Sequence, residues 1–218
     1  MSITLHGSPI SNYYNKVKMA LIEKGVPFAE AKAGTPGAAT ADPAVLASSP
    51  LAKIPFLTTE QGPLCESQAI LDYIEARWPQ PALLPADPYA AAKVHELTTF
   101  IDWHLEIAVR QLYGSAFFGA PALSDARKES VRKQLVPAIA AFKRLAKFSP
   151  FVAGGQFTQA DCAAFNNLPL VGMASKAVYG EDLLLAAGVD YKPYIKMIGE
   201  RPSAQKVVAD RKLAQAKL

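Results

Sequence analysis

Residues 52–79, AKIPFLTTEQGPLCESQAILDYIEARWP, contain the pattern that decides the fold. A β-prone run at 56–59 and its return at 64–65 flank Gly62, which supplies the positive φ of a tight turn. The apolar residues that follow are spaced as one buried face of a helix, at Ile70, Tyr73, Ile74 and Trp78. Because Pro79 ends that helix, the stretch predicts strand, turn, strand and helix in succession.

Two features of this stretch can hold a ligand. Ile54-Pro55 places a proline at the entrance to a strand, and a cis bond there would present the Ile54 backbone as an edge to a peptide-like ligand. Glu66-Ser67 puts a carboxylate and a hydroxyl at a helix N-terminus, whose N–H groups suit a ligand carboxylate. The Glu66 carboxylate can meet an ammonium group of the same ligand. Together they predict a site for a small peptide with an α-amino acid head, the shape of γ-glutamyl-cysteinyl-glycine (glutathione).

The segments KIPFL at 53–57 and ESQAILDYI at 66–74 resemble the N-terminal domain of the cytosolic glutathione S-transferases, in their serine-type, bacterial-like form. The resemblance implies an α/β thioredoxin-like N-terminal domain followed by an all-α C-terminal domain. It also implies a cytoplasmic homodimeric detoxification enzyme with the site near the subunit interface. Glutathione would be its co-substrate, and no cofactor or metal would be needed.

The order of predicted elements agrees with that resemblance. A strand at 2–6, a helix at 13–24 and a strand at 27–31 precede a short helix near 43–47 and the 52–79 stretch. The segment 80–88 is rich in proline and predicts a stiff linker. The predicted organisation is therefore a glutathione-binding domain at 1–79, a linker at 80–88 and a helical domain at 89–218.

Beyond the linker the apolar residues follow helical spacing. One stripe comprises Val94, Leu97, Ile101, Leu105, Ala108 and Leu112, and a second comprises Val131, Leu135, Ile139, Phe142 and Leu145. Thr158 and Asp161 match a capping box at the start of a third hydrophobic helix. In the family such a box stabilises the second domain, so these two residues are not predicted site residues.

Ser11 is the predicted catalytic residue, because it lies between the first strand and the first helix, where serine-type transferases place the hydroxyl that activates the thiol. A hydroxyl that donates a hydrogen bond to sulfur favours the thiolate, so Ser11 would stabilise the nucleophile and not be one. The alternative is that Ser11 only caps the helix. Ser8, Tyr13 and Tyr14 are rival activators. Cysteine-type thiol transfer is disfavoured because the Ser11 position holds no cysteine.

The remaining site predictions concern the glycine end of glutathione and the pocket for the second substrate. Lys53 is either a contact to the glycine carboxylate of glutathione or a solvated loop charge. Tyr113 and Phe117, with Phe118 beside them, either line the pocket for a second, hydrophobic substrate or belong to the core. Pro55 has the alternative role of an ordinary edge-strand proline, and Glu66-Ser67 that of a helix cap.

Composition excludes several classes of protein. Of the 218 residues, 50% are hydrophobic and 19% charged, with a formal net charge of +4, and no dense Lys/Arg tract indicates nucleic-acid binding. The two cysteines form no CxxC or zinc spacing. No run approaches the roughly 20 apolar residues of a membrane helix, and 1–11 lacks the regions of a secretion signal.

Two other functions stay open. A transferase-like protein without catalysis would act as a binding or regulatory module. An enzyme that uses glutathione differently would be a peroxidase, an isomerase or a reductive dehalogenase.

Overall fold

The structure is a computed structural model that describes residues 3–217. The chain forms two compact units. One comprises the residues up to Leu83 together with those from Gly199 onward, and the other spans Leu84–Ile198.

A four-stranded mixed sheet organises the first unit. Its strands are β1 (Ile3–Gly7), β2 (Phe28–Lys32), β3 (Phe56–Thr59) and β4 (Gly62–Cys65), in the spatial order β2-β1-β3-β4. β1 pairs in parallel with β2, whereas β1 with β3 and β3 with β4 pair antiparallel. The strands predicted from the sequence are confirmed to within a residue or two at their described ends.

Four helices complete the first unit: α1 (Asn12–Glu23), α2 (Pro43–Ser48), α3 (Ser67–Arg77) and α11 (Pro202–Gln215). α3 buries Ile70, Leu71 and Ile74, whereas Tyr73 and Trp78 of the predicted face are only half-buried. The β-α-β-α-β-β-α order expected for residues 1–79 is confirmed.

The register of the sheet brings three loops to one end. His6 of β1 lies opposite Phe56 of β3, and Phe56 lies opposite Cys65 of β4. β4 ends and β3 begins at this row, and β1 ends one residue beyond it, at Gly7. The loop before α1, the Ile54–Pro55 bond and the start of α3 therefore all leave the sheet at the same end.

α11 packs along α1 within the first unit. The ammonium of Lys18 contacts Glu30 at 2.6 Å and Asp210 at 2.5 Å, and the side chain of Glu23 binds Arg201. By these contacts the segment from Gly199 belongs with the N-terminal unit, although it follows the helical part of the chain. The domain boundaries predicted at 79 and 88 follow the linear order of the chain, so they assigned the segment from Gly199 to the helical domain.

The second unit is helical. It contains α4 (Pro88–Thr99), a π-helical segment (Phe100–Glu106), α5 (Ile107–Arg110), α6 (Tyr113–Phe117), α7 (Asp125–Leu145), α8 (Gln159–Tyr179), α9 (Leu183–Ala186) and α10 (Lys192–Ile198). Every residue of the first predicted stripe is buried, as is every residue of the second except Leu145, which is half-buried. The helical character of this region is thereby confirmed.

Asp161 is the polar centre of the second unit. Its carboxylate is fully buried and accepts the N–H groups of Thr158 at 2.7 Å and Val152 at 2.9 Å. It also accepts the hydroxyl of Tyr194 at 2.9 Å. The capping box predicted at 158–161 is confirmed. Its Asp161 also fixes the preceding loop, because it accepts the N–H of Val152.

Candidate functional site

Ser11 immediately precedes α1 and has an extended backbone, and its Oγ accepts the N–H of Tyr14 at 3.3 Å. The side chain thus caps the helix, as the alternative interpretation required. A hydroxyl has one hydrogen to donate and two lone pairs to accept with. Because Ser11 accepts in this contact, its own hydrogen remains available to a ligand atom, and capping and thiol activation are compatible. Ser11 is half-buried.

The loop before Ser11 is held by a residue that the sequence did not single out. Asn15, which is fully buried in α1, donates from Nδ2 to the carbonyl of Pro9 at 2.8 Å. The N–H of Ser11 donates to the carbonyl of Ser8 at 2.9 Å, and the Oγ of Ser8 accepts the N–H of Ile10 at 3.3 Å. These contacts fix the backbone on which Ser11 stands.

Tyr14 is a poor rival of Ser11. Its hydroxyl donates to the carboxylate of Glu30. Burial, followed by the hydrogen bond and charge of Glu30, raises the pKa of Tyr14 far above its usual value. A phenol whose only hydrogen is engaged by a carboxylate does not donate to a thiolate. Tyr13 and Ser8 are half-buried and stay as alternatives.

The Ile54–Pro55 bond is cis, as the hypothesis of an Ile54 edge required. Just before it, Ala52 is buried with φ of 50°. Lys53 is bound through its backbone: its N–H donates to Ser49 Oγ at 3.0 Å, and its carbonyl accepts from the same hydroxyl at 2.8 Å. The side chain of Lys53 is exposed to solvent.

Glu66 precedes α3 in a backbone conformation that few residues other than glycine adopt, with φ of 68°. Its exposed side chain makes no capping hydrogen bond to the helix. The N–H of Ile70 donates to the carbonyl of Glu66 at 3.0 Å, so the amides of 67–69 lie ahead of the first intrahelical bond. The N-terminal end of α3 therefore carries partial positive charge, and the Glu66 carboxylate does not cap it.

Lys16 reaches this helix end from α1. The residue is fully buried, and its Nζ lies 3.3 Å from Ser67 Oγ and 3.0 Å from Gln68 Oε1. Sequence reasoning missed it, because a lysine within an amphipathic helix is typical of the solvated face. The available signal was its position five residues after Ser11, next to the buried Val17.

Tyr113 and Phe117 lie in α6 of the second unit. The buried Tyr113 donates its hydroxyl to Glu106 Oε1 at 3.0 Å, and burial, together with Glu106, raises the pKa of Tyr113 far above its usual value. Phe117 is 38% exposed, and its ring centroid lies 5.1 Å from that of Tyr113. The hydroxyl of Tyr113 is thus committed inside its own unit, while Phe117 offers exposed aromatic surface.

Residues 3–217 hold neither a cluster of metal ligands nor a helix that could span a membrane. Within that range no three His, Cys, Asp or Glu residues cluster as a metal site would require. Over the same residues no helix combines the length and hydropathy needed to cross a membrane.

Both the N-terminal and the C-terminal part of the chain are similar to known proteins. Residues 5–82 match the family described as "Glutathione S-transferase, N-terminal domain", and residues 105–190 match "Glutathione S-transferase, C-terminal domain". A protein named "Glutathione S-transferase" from Pseudomonas putida is 40% identical over 209 residues, which cover 96% of this chain and 92% of the relative.

Solved structures show the same fold. The apo form of glutathione S-transferase III is 27% identical with a TM-score of 0.75, covering 96% of each chain. A glutathione S-transferase from Methylobacterium radiotolerans, solved in complex with glutathione sulfonate, is 26% identical with a TM-score of 0.73, covering 95% of each chain. The thioredoxin-like first unit, the helical second unit and the similarity over nearly the whole length establish that this chain is an enzyme of the glutathione S-transferase family.

Proposed function

We propose that the protein binds glutathione at the end of the sheet where the His6–Phe56–Cys65 row lies, and that it activates the thiol for attack on hydrophobic electrophiles. One observation carries the proposal: the register brings the loop before α1, the Ile54–Pro55 bond and the start of α3 to a single end of the sheet. The bound glutathione sulfonate of the Methylobacterium neighbour supports the choice of ligand.

Each part of the tripeptide has a partner in this arrangement. The α-carboxylate of the γ-glutamyl residue binds Ser67 and the amides at the start of α3, where the helix favours anions. The ammonium beside it meets the carboxylate of Glu66. The backbone of Ile54 pairs with the peptide bonds of the ligand. Lys53, which is exposed and immediately precedes Ile54, meets the glycine carboxylate.

Ser11 acts on the sulfur. An ordinary thiol has a pKa of about 8.5 and is mainly protonated at neutral pH. A hydrogen bond from the Ser11 hydroxyl, together with the positive end of α1, stabilises the thiolate and raises its fraction. Holding that thiolate next to an electrophile converts a slow bimolecular reaction into one between bound partners.

The second substrate is a small hydrophobic electrophile, for which Phe117 and Tyr113 of α6 are the proposed contacts. The reaction on that electrophile is addition or substitution, with peroxidase, isomerase or reductive dehalogenase chemistry as alternatives at the same thiolate. By resemblance to the family we also propose a cytoplasmic homodimer with a role in detoxification. Light scattering after size exclusion tests the dimer.

The test of the central proposal compares the wild type with Ser11→Ala. We expect both proteins to bind glutathione with similar affinity by calorimetry. We also expect Ser11→Ala to lose most of the turnover with 1-chloro-2,4-dinitrobenzene and to raise the pKa of the bound thiol. Each pKa unit corresponds to a tenfold lower thiolate fraction at a pH well below that pKa. Ser8→Ala is the matched control, because Ser8 lies in the same loop.

Three results would change the proposal. Unchanged turnover in Ser11→Ala with loss in Ser8→Ala would move the activation to Ser8. Binding of glutathione without turnover of a panel of electrophiles and peroxides would favour a binding or regulatory module. Absence of glutathione binding by the wild type would refute the site itself.

A further inference from the structure

A lysine buried next to a hydroxyl needs a physical explanation, because taking an ammonium out of water costs free energy unless polar groups surround it. Lys16 has no exposed surface, and its Nζ points from the middle of α1 to the first two residues of α3. Lys18 and Lys24, the other buried lysines of this helix region, are paired with carboxylates of Glu30, Asp210 and Glu75. Two contacts of Lys16, with Ser67 Oγ and with Gln68 Oε1, lie at the helix end proposed to receive an anion.

The contact with Ser67 fixes the direction of a hydrogen. An ammonium can only donate, so Ser67 Oγ accepts from Lys16 and uses one lone pair in doing so. The hydroxyl hydrogen of Ser67 then points away from Lys16 and is free to donate. A ligand carboxylate ahead of α3 is an acceptor, and this orientation of Ser67 suits it.

Gln68 holds Lys16 in this position. Its Oε1 accepts from Lys16 at 3.0 Å, while its Nε2 donates to Asp72 Oδ1 at 2.9 Å. The two contacts agree on one orientation of the amide, with oxygen towards Lys16. The ammonium is therefore anchored to two consecutive residues at the start of α3, and its charge lies close to the amides of that turn.

We propose that Lys16 is a positioning residue for recognition of the α-carboxylate of the ligand, acting through Ser67. This inference rests on the proposed binding of glutathione at the same site. Lys16 orients the Ser67 hydroxyl as a donor and adds positive charge behind the helix end. Its contribution is specific to the carboxylate of the γ-glutamyl head group, since the ammonium of that group faces Glu66.

The experiment removes the charge from the protein and the carboxylate from the ligand. Calorimetry measures the affinity of wild type and Lys16→Met for reduced glutathione, for γ-aminobutyryl-cysteinyl-glycine, which lacks the α-carboxylate, and for glutaryl-cysteinyl-glycine, which lacks the ammonium. We expect Lys16→Met to weaken the two ligands that keep the carboxylate by about tenfold or more, as loss of a hydrogen bond to a charged group does. The affinity for γ-aminobutyryl-cysteinyl-glycine should change by less than about twofold.

Lys24→Met is the matched control. Lys24 is also buried, but its Nζ contacts Glu75 and the carbonyl of Pro81, away from the start of α3. Its loss should lower the melting temperature and leave the ratio of the three affinities unchanged. A further cycle with Ser67→Ala should be non-additive, because Lys16 acts through the Ser67 hydroxyl.

The outcomes separate this inference from the proposed function. If the wild type binds glutathione and Lys16→Met weakens all three ligands equally, or none of them, the role of Lys16 is merely structural and the inference is overturned. If the wild type binds none of the ligands, the proposed function falls and takes the inference with it. If Lys16→Met fails to fold, Lys16→Gln removes the charge with a side chain that is still polar, and the same ratio of affinities decides.

Discussion

Tyr14 lies three residues after Ser11, the serine proposed to activate the thiol, and its hydroxyl donates to the carboxylate of Glu30. Lys18 contacts the same carboxylate at 2.6 Å. The phenol is thereby part of the ionic network that joins β2, α1 and α11. A tyrosine next to the proposed site is thus structural in this chain.

Replacing Tyr14 by Phe should leave thiol activation unchanged. Because its hydroxyl is engaged by Glu30, we expect the pKa of enzyme-bound glutathione, followed by ultraviolet absorbance of the thiolate, to equal that of the wild type. The free energy of unfolding should fall by about 1–2 kcal/mol, since a hydrogen bond to a charged acceptor is lost. A raised thiol pKa in Tyr14→Phe, as large as that in Ser11→Ala, would assign the activation to Tyr14.

Replacing Asp161 by Asn should strongly destabilise the second unit. The amide cannot accept simultaneously from Val152, Thr158 and Tyr194 without bringing its own hydrogens against a buried donor. We expect a loss of about 3 kcal/mol or more, measured by urea unfolding. Ser124→Ala is the control, because Ser124 caps α7 with one contact to the N–H of Arg127, and its loss should cost about 1 kcal/mol. Equal effects of the two variants would contradict the central role of Asp161.

Glu23 should make stability depend on acid. Burial alone would raise the pKa of Glu23, but the hydrogen bonds from Arg201 and Ser203 and the charge of Arg201 outweigh it and lower the pKa below its usual value. A carboxyl group whose pKa is lower in the folded state stabilises the protein above its unfolded pKa, and this contribution disappears as pH falls through the folded pKa. Glu23→Gln should therefore be less stable than the wild type near pH 7 by about 1–2 kcal/mol.

The difference between Glu23→Gln and the wild type should close on acidification, which chemical unfolding at a series of pH values measures. Glu181→Gln is the control: Glu181 contacts Arg132 at 2.7 Å, but both side chains are at least 40% exposed, so solvent screens the pair. A gap for Glu23→Gln that stays constant down to strongly acidic pH would show that the charge of Glu23 is irrelevant.

Replacing Gly172 by Ala should destabilise the protein even though alanine favours helices. Gly172 lies inside α8, and an added Cβ would overlap the hydroxyl of Tyr191 and the carboxylate of Asp182, which hydrogen-bond at 2.9 Å. The gain of about 1 kcal/mol in helix propensity is therefore outweighed by the broken pair. Gly114→Ala in α6 is the control, because its Cβ would meet only the methyl group of Ala120 at 3.4 Å. Thermal unfolding should separate the two, and a stabilised Gly172→Ala would contradict this packing.

The sequence predicts most of the fold because its patterns are local. Gly62 between two β-prone runs, and apolar residues at spacings of three and four in 94–112, each constrain a short stretch independently of the rest. The alternation of spacing in that stripe also hid a π-helical segment at Phe100–Glu106, whose wider turn still leaves Ile101 and Leu105 buried.

The site is less predictable because its supports are non-local. Lys16 and Ser67 are 51 positions apart, and Lys18 and Asp210 are 192 apart. Each lysine alone is typical of a solvated helix face, and only the partner across the fold makes its burial favourable. Glu66 carries no signal of its positive φ either, since that conformation is rare for glutamate.

The packing of α11 on α1 has a consequence for synthesis on the ribosome. The N-terminal unit takes Arg201 and Asp210 as partners of Glu23 and Lys18, and translation reaches those codons only after the whole second unit. In the nascent first unit α1 is therefore incompletely covered until α11 has been made. The second unit, Leu84–Ile198, has all of its own segments as soon as it leaves the tunnel. Completion of the first unit is thus timed by synthesis of the segment from Gly199 onward and not by synthesis of its own first residues.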